Sequence, residues 1–358
     1  MSAKLNPLAN PKGQKKLCEI CQKPAHIQCT RCRVTFYCNT EHQQADWVSI
    51  HEKVCQLLIL IRKPAPFHAV QADRDKQRNE IRRRQEELIE ISQAAARRRL
   101  SEGSHQEALP AAQFSLRCAM DVYGSSAIRL VPSYLLMAEA SMGLGKLVQA
   151  KEYLSLAEWT VVQTPNCSNN TLHQLHRNMG RLYAATGDLE EALWHLAEDV
   201  FYATEGFGLD SVVTCQGYFL MANVFLRQNK ADIANSIYSE VARKWHIHLT
   251  RLLVQKHTQE HVQAEQLLDE GQRAEAEQTL RTLLEAQEQS SKPQLEQSAI
   301  LAHCLAMLWY LSDCSEKALE FGRKAMELSQ QVSELNLSDP IKALLERAEE
   351  SLMVVKTN

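Results

Sequence analysis

The stretch Asn178-Met179-Gly180-Arg181-Leu182-Tyr183-Ala184-Ala185-Thr186-Gly187-Asp188-Leu189-Glu190-Glu191-Ala192 decides the fold, because its spacing returns along most of the chain. Ala108, Ala150, Ala192, Ala234, Ala276 and Ala318 each stand 42 residues after the last. Twelve positions before them lie Ala96, Ala138, Gly180, Ala222, Ala264 and Ala306, and five before them Gly103, Gly145, Gly187, Asn229, Gly271 and Asp313. Two small positions let paired helices approach closely. The residue between them must accept φ > 0 at a helix C-terminus, which Gly, Asn and Asp do best. The pattern predicts a tandem array of helical hairpins. A large core residue follows the first small position in most units (Tyr183, Phe225, Leu267, Trp309), although Arg99 and Ser141 depart from this. Met137, Met179, Met221 and Leu305 form a row that reads as core packing at helical spacing rather than a copper or cofactor site.

Other positions mark the edges of the array. Gly124 and Gly208, fourteen before the small position of their units, are expected in inter-repeat loops. The first unit is the weakest match, with Arg99 and Ser115 where apolar residues are expected, and Gly322 stands where a bulky residue is usual. A helix over 340–355, with Ala348 in repeat register, reads as the half-repeat cap that an open end needs.

Composition agrees with this reading. The chain has 358 residues, 45% apolar and 23% charged, with only 12 glycines, which favours helices over a β-rich fold. Residues 1–99 carry a net charge of +9 and residues 100–358 one of −12, so two surfaces with different partners are expected; neither part has the basic density of a dedicated nucleic-acid binder. Residues 1–17 have no apolar signal core, and the longest apolar stretch, 299–311, is too short to span a bilayer, so a cytoplasmic or nuclear protein with no membrane partner is expected.

Six of the 11 cysteines lie between positions 18 and 55. In a reducing compartment such density points to metal or catalysis rather than disulfides. The ligands fall in four pairs, Cys18-x2-Cys21, Cys29-x2-Cys32, Cys38-x3-His42 and His51-x3-Cys55, enough for two tetrahedral sites closed by protein ligands. So short a segment cannot bury enough surface to fold unaided, so metal must supply the missing free energy, about 10–16 kcal/mol apparent for a zinc-finger peptide. A catalytic zinc would keep an open position. His51-Glu52 begins like HExxH, but Cys55 stands where its second histidine belongs.

The run Tyr37-Cys38 through Gln43, Asp46, Trp47, His51 and Cys55 resembles the MYND zinc finger. The resemblance implies two structural Zn²⁺ ions held by interleaved pairs, Cys18, Cys21, Cys38 and His42 on one and Cys29, Cys32, His51 and Cys55 on the other. His42 departs from the usual cysteine. The family binds short proline-containing peptides, which would place Gln43 and Trp47 at a groove; the alternative is that Trp47 packs between the two knuckles.

The repeat resembles the tetratricopeptide (TPR) repeat in a 42-residue form. The fold class is therefore mostly α: a small N-terminal zinc-stapled MYND finger, then an α-solenoid of six helical hairpins with a C-terminal capping helix. The segments are 1–17 a flexible N-terminus, 18–55 the finger, 56–91 a linker with a charged helix, 92–335 the array, and 336–358 the cap and tail. Arg82 to Arg84 and Arg97 to Arg99 lie among glutamates on that charged helix and read as a solvated, ion-paired face rather than a nucleic-acid patch. Separate cores are expected for finger and array.

TPR arrays bind extended peptides or partner helices. Candidate groove residues are Asn178, Arg181, Asn223, Arg227 and His303, and the acidic balance favours a basic partner segment. His246, His248, His257 and His261 read as exposed histidines rather than a metal site. No GxSxG, Walker A, GxGxxG or kinase signature is present. SET-domain methyltransferases also combine a MYND finger with TPR-like helices, but there is no room here for their catalytic region, so no enzyme and no small-molecule substrate is expected. The order of modules resembles MYND-plus-TPR proteins of motile cilia and sperm flagella, which implies an axonemal adaptor with protein partners, TPR or dynein-linked proteins among them. The alternative is a nuclear corepressor-type adaptor binding proline-rich peptides through the finger.

Overall fold

The computed structural model describes residues 2–5, 15–63, 68–258, 268, 270–289, 294–332 and 337–357. Two compact units, 1–178 and 179–358, divide the chain. No helix among the described residues is long and apolar enough to cross a membrane.

The first unit opens with strands β1 (Ser2–Lys4), β2 (Ile27–Cys29) and β3 (Phe36–Tyr37) in one antiparallel sheet of order β1-β2-β3. Ser2 pairs with Cys29, Lys4 with Ile27, and Ile27 in turn with Tyr37. The stretch expected to be a loose N-terminus thus begins with a sheet strand. Helix α1 (Thr40–Asp46), capped by the Asn39 side chain on the His42 amide, runs through a π-helical turn, Trp47–His51, into α2 (Glu52–Arg62).

Helix α3 (Gln71–Ser101) is the charged helix and the first arm of the first hairpin in one piece. Its N-terminal part is solvated and laced by Glu80 with Arg83 and Arg84 and by Arg82 with Glu86. Towards its end the buried set Leu88, Ile89, Ser92, Ala95, Ala96 and Leu100 forms a helical stripe. Gly103 (φ +73°) turns the chain into α4 (His105–Tyr123); α5 (Val131–Gly143) and α6 (Leu147–Val162) form the second hairpin around Gly145 (φ +71°). The small positions Ala96, Ala108, Ala138 and Ala150 are all fully buried.

Helix α7 (Asn169–Thr186) contains the division between the units. In the second unit come α8 (Leu189–Phe207), α9 (Val212–Arg227), α10 (Ala231–Thr258), α11 (Glu270–Glu288), α12 (Leu295–Leu311), α13 (Ser315–Gln330) and α14 (Ser338–Thr357). Gly187, Asn229 and Asp313 all take φ > 0 at hairpin turns, as their repeat position requires. A Cβ on Gly180 would sit 2.6 Å from Leu196 Cγ, and one on Gly322 would sit 2.7 Å from Leu345 Cδ2. Gly322 therefore departs from the bulky norm because α14 packs there. Met137 and Met179 are buried in the core, and Met221 packs against it.

One unit differs from the expectation. Gly124 (φ +84°), Asn166 (φ +56°) and Gly208 (φ +89°) interrupt the chain at one repeat phase, but the next position in that phase is Thr250, and α10 runs straight through it. Threonine cannot take the left-handed backbone cheaply, so no break forms. Beyond that point α10 packs on α12, with Leu249 and Leu252 in one core with Leu301, Leu305 and Leu308. Gly271 lies inside α11 instead of at a left-handed turn. Ala264 and Leu267, expected in the first helix of that repeat, fall outside the described residues.

The close contact at Gly180 supplies a stability test. Gly180→Val should destabilise the protein by about 1–3 kcal/mol in a urea melt through overpacking against Leu196; an unchanged midpoint would show that the small position is not a packing constraint.

Candidate metal centre and its seat on the first hairpin

Two knuckles present the first four thiols. In each, the residue after the second cysteine, Gln22 (φ +56°) or Arg33 (φ +58°), turns left-handed and donates its amide to the first cysteine's carbonyl at 3.0 Å, so both thiols of a pair face inward. The remaining donors come from the bend after β3, α1, the π turn and α2.

These elements assemble two sets of four: Cys18, Cys21, Cys38 and His42, and Cys29, Cys32, His51 and Cys55, each with its donor atoms within 4.8 Å of one another. In the first set His42 Nδ1 lies 3.4 Å from Cys18 Sγ and 3.2 Å from Cys38 Sγ, and Cys21 and Cys38 Sγ are 3.6 Å apart. In the second, Cys29 and Cys55 Sγ are 4.0 Å apart and Cys32 Sγ is 3.7 Å from His51 Nε2. A tetrahedron with metal–sulfur bonds of about 2.3 Å has edges of about 3.8 Å, so both sets fit an ion such as zinc. Every cysteine is a free thiol.

Electrostatics in the second set favour a cation. Burial disfavours the Cys32 thiolate, but hydrogen bonds from His51 and Thr35 outweigh it and bring the thiol down to about 6. Burial, with the neighbouring Cys32 and Cys29, pushes Cys55 up to about 12. Neighbouring sulfurs thus compete for protons, and a divalent ion relieves that competition while releasing them.

A second layer orients His51. Its Nδ1 lies 3.6 Å from Asp46 Oδ2, and the Tyr37 hydroxyl donates to the same oxygen at 2.7 Å. Burial raises the Asp46 carboxyl to about 6, opposed by Tyr37 and His51. Such partners fix the ring so that Nε2 faces the metal. Asp46 entered the sequence reading only as a motif position; its role follows from this geometry.

The finger is not a separate body, and here the expectation of independent cores is corrected. Ile50, Val54 and Leu58 are buried in one cluster with Leu88, Ala96, Ala108, Phe114 and Leu136 of the first helices. The Ser49 hydroxyl accepts the Ala111 amide at 3.0 Å. Glu19, one residue after the first metal-site cysteine, takes Arg62 of α2 at 2.8 and 2.9 Å and Arg117 of α4 at 2.8 Å, while Arg117 also donates to its carbonyl. Burial opposes ionisation of Glu19, yet these two guanidiniums hold its carboxyl below the usual value.

Tertiary partners account for the two departures of the first repeat, the finger for Arg99 and the neighbouring helices for Ser115. Arg99 donates to the Val48 carbonyl of the finger at 3.3 Å, a contact that an apolar residue there would lose. Ser115 is fully buried and donates to Ala112 O and Ser133 Oγ at 2.8 and 3.0 Å.

The expected peptide-binding residues are scattered. Gln43 is buried, and Trp47 is half-buried between Arg31, 4.6 Å over its ring, and the His51 ring at 5.7 Å. Asn178 is buried, its amide donating to Gln174 O at 3.0 Å. Arg181, Asn223 and Arg227 do meet, lining a cleft of about 230 Å³ in the second unit together with Gly180 and Leu220. In it Asn223 accepts from Tyr238 and Arg227 donates to Ala184 O. His303 is not a groove residue: it is buried against His246, Nδ1 to Nε2 at 3.1 Å, and burial with that neighbour lowers it to about 3. His246 is thereby half-buried rather than exposed; His261 lies outside the described residues.

With both donor sets in place, comparison with known proteins is direct. Residues 18–55 match the MYND finger family. The chain is 46% identical over 43 residues to Egl nine homolog 1 of Homo sapiens and 42% identical over 50 residues to that of Mus musculus, covering 12% and 14% of this chain. It spans only 10% and 12% of those proteins' length. Among solved structures, BtubC (BKLC) from P. vanneervenii is 14% identical with a TM-score of 0.31, over 69% of this chain and 93% of that one. The P58(IPK) TPR domain is 12% identical with a TM-score of 0.24, over 89% and 96%. A MYND finger followed by a series of helical hairpins is the architecture.

Asp46→Asn should weaken metal binding about 10–100-fold at the His51 site, measured by competition with a chromophoric chelator. Undiminished affinity would remove Asp46 from the second layer.

Proposed function

We propose that the chain is a non-enzymatic adaptor in which two structural Zn²⁺ ions fix the finger to the first hairpin and the repeat helices carry partner proteins. The observation that carries this is the closure of both four-donor sets by protein ligands: a structural zinc is fully coordinated, whereas a catalytic one keeps a position for water. Within the second unit the Arg181–Asn223–Arg227 cleft is the candidate peptide surface, and Trp47 is a second one on the finger.

The more specific reading is an axonemal component of cilia or sperm flagella, acting in assembly or motility beside TPR or dynein-linked proteins. Its support is the order of modules, finger, charged helix and 42-residue repeats, which resembles zinc finger MYND domain-containing protein twelve and its relatives. The nuclear corepressor alternative has less support. The arginines of α3 that would serve import are largely paired with glutamates, and Gln43 is buried. Proximity labelling of the tagged protein in multiciliated or spermatogenic cells, read with its location by microscopy, separates the two. Axonemal neighbours and an axonemal signal are expected; nuclear neighbours would overturn the ciliary reading in favour of the corepressor one.

A further inference from the structure

Helix α6 carries an apolar stripe that none of the roles above uses. Val148, Leu156, Trp159 and Val162 are 78%, 47%, 66% and 71% exposed. One repeat earlier the corresponding face is covered only in part, since Gln106 and Met120, equivalent to Val148 and Val162, are exposed. Phe114, equivalent to Leu156, is buried beneath the finger with Arg62 over its ring, and Arg117, equivalent to Trp159, is bound to Glu19. The first hairpin thus covers one edge of this face, and in the second that edge is exposed as well.

The stripe's pattern says what covers it. Val148, Ser155 and Val162 recur every seven residues along its centre. At 100° per residue, Lys151 and Glu158 fall on one flank and Glu152 and Trp159 on the other. Lys151, Glu152, Ser155 and Glu158 are all exposed, and the three charged ones have no ion pair with another described residue. Now lay a second α6 antiparallel across the first, with a two-fold axis beside Ser155. Val148 of each copy meets Val162 of the other, Lys151 of each meets Glu158 of the other, and Trp159 covers Val148 and the stem of Glu152. Val148, Trp159 and Val162 gain apolar partners and every Lys151 an acid, with a small serine at the point of closest approach; Leu156 lies outside the contact. That self-complementarity is what an isologous contact requires, since the same patch must serve on both partners.

We propose that the outer face of α6 is a contact between two copies of this chain. One four-turn helix is a small contact, so the dimer is a reversible one that forms with rising concentration.

Charge reversal tests the register directly. In sedimentation velocity over a concentration series, the zinc-loaded full chain should dimerise, and Lys151→Glu or Glu158→Lys alone should each weaken self-association about tenfold, because two ion pairs become two repulsions. An equimolar mixture of the two single variants should dimerise again, since each restores the other's missing charge, and the double variant should behave like the parent. Trp159→Glu should abolish association with unchanged helicity. A chain that stays monomeric throughout the series, a dimer indifferent to these variants, or single variants that fail to rescue each other would overturn the proposal.

Discussion

Burial of Ile50, Val54 and Leu58 against the first helices is the constraint on which the N-terminal unit depends. Spaced four apart, they lie on one face of the helical run that also delivers His51 and Cys55 to the metal site. An ion held by the donor set would fix one side of that run, and the hairpin buries the other. Each of these side chains is worth about 1.5–3 kcal/mol on full burial, as an upper estimate. Polar contacts lock the register: Ser49 takes an α4 amide, and Glu19 is clamped by arginines from α2 and α4. The finger keeps a small cluster around Tyr37 and its cysteines and shares a second with the first hairpin, and the first repeat is completed by it.

That arrangement accounts for what was legible in the sequence. The alanines, small residues and turn formers at 42-residue intervals reflect local demands, close helix approach and a left-handed turn, which each repeat imposes on its own residues. They therefore read correctly at Ala192, Gly180 and Asn229 without knowledge of the partners. Donor pairs were legible for the same reason, because a knuckle is a local turn. Arg99 and Ser115 were visible only as departures, since their partners, Val48 and Ser133, are set by tertiary packing. Asp46 and Tyr37 are of this second kind, and so are the paired His246 and His303, which come from helices far apart in sequence.

Thr250 shows the reverse failure. It stands in the phase of the loops at Gly124 and Gly208, yet register alone does not break a helix; a residue tolerant of φ > 0 does. Gly124, Asn166 and Gly208 supply one, Thr250 does not, and α10 continues to bury Leu249 and Leu252 on α12. A departure from pattern at a turn position thus carried as much structural information as the pattern itself.

The central claim is that finger and first hairpin fold as one metal-dependent unit. Hydrogen exchange of the full chain with and without a zinc chelator addresses it most directly. The account predicts that chelation speeds amide exchange in α3 and α4 around Ala96, Ala111 and Phe114 together with residues 18–55. Exchange that rises in the finger alone, with α3 and α4 as protected as before, would contradict it.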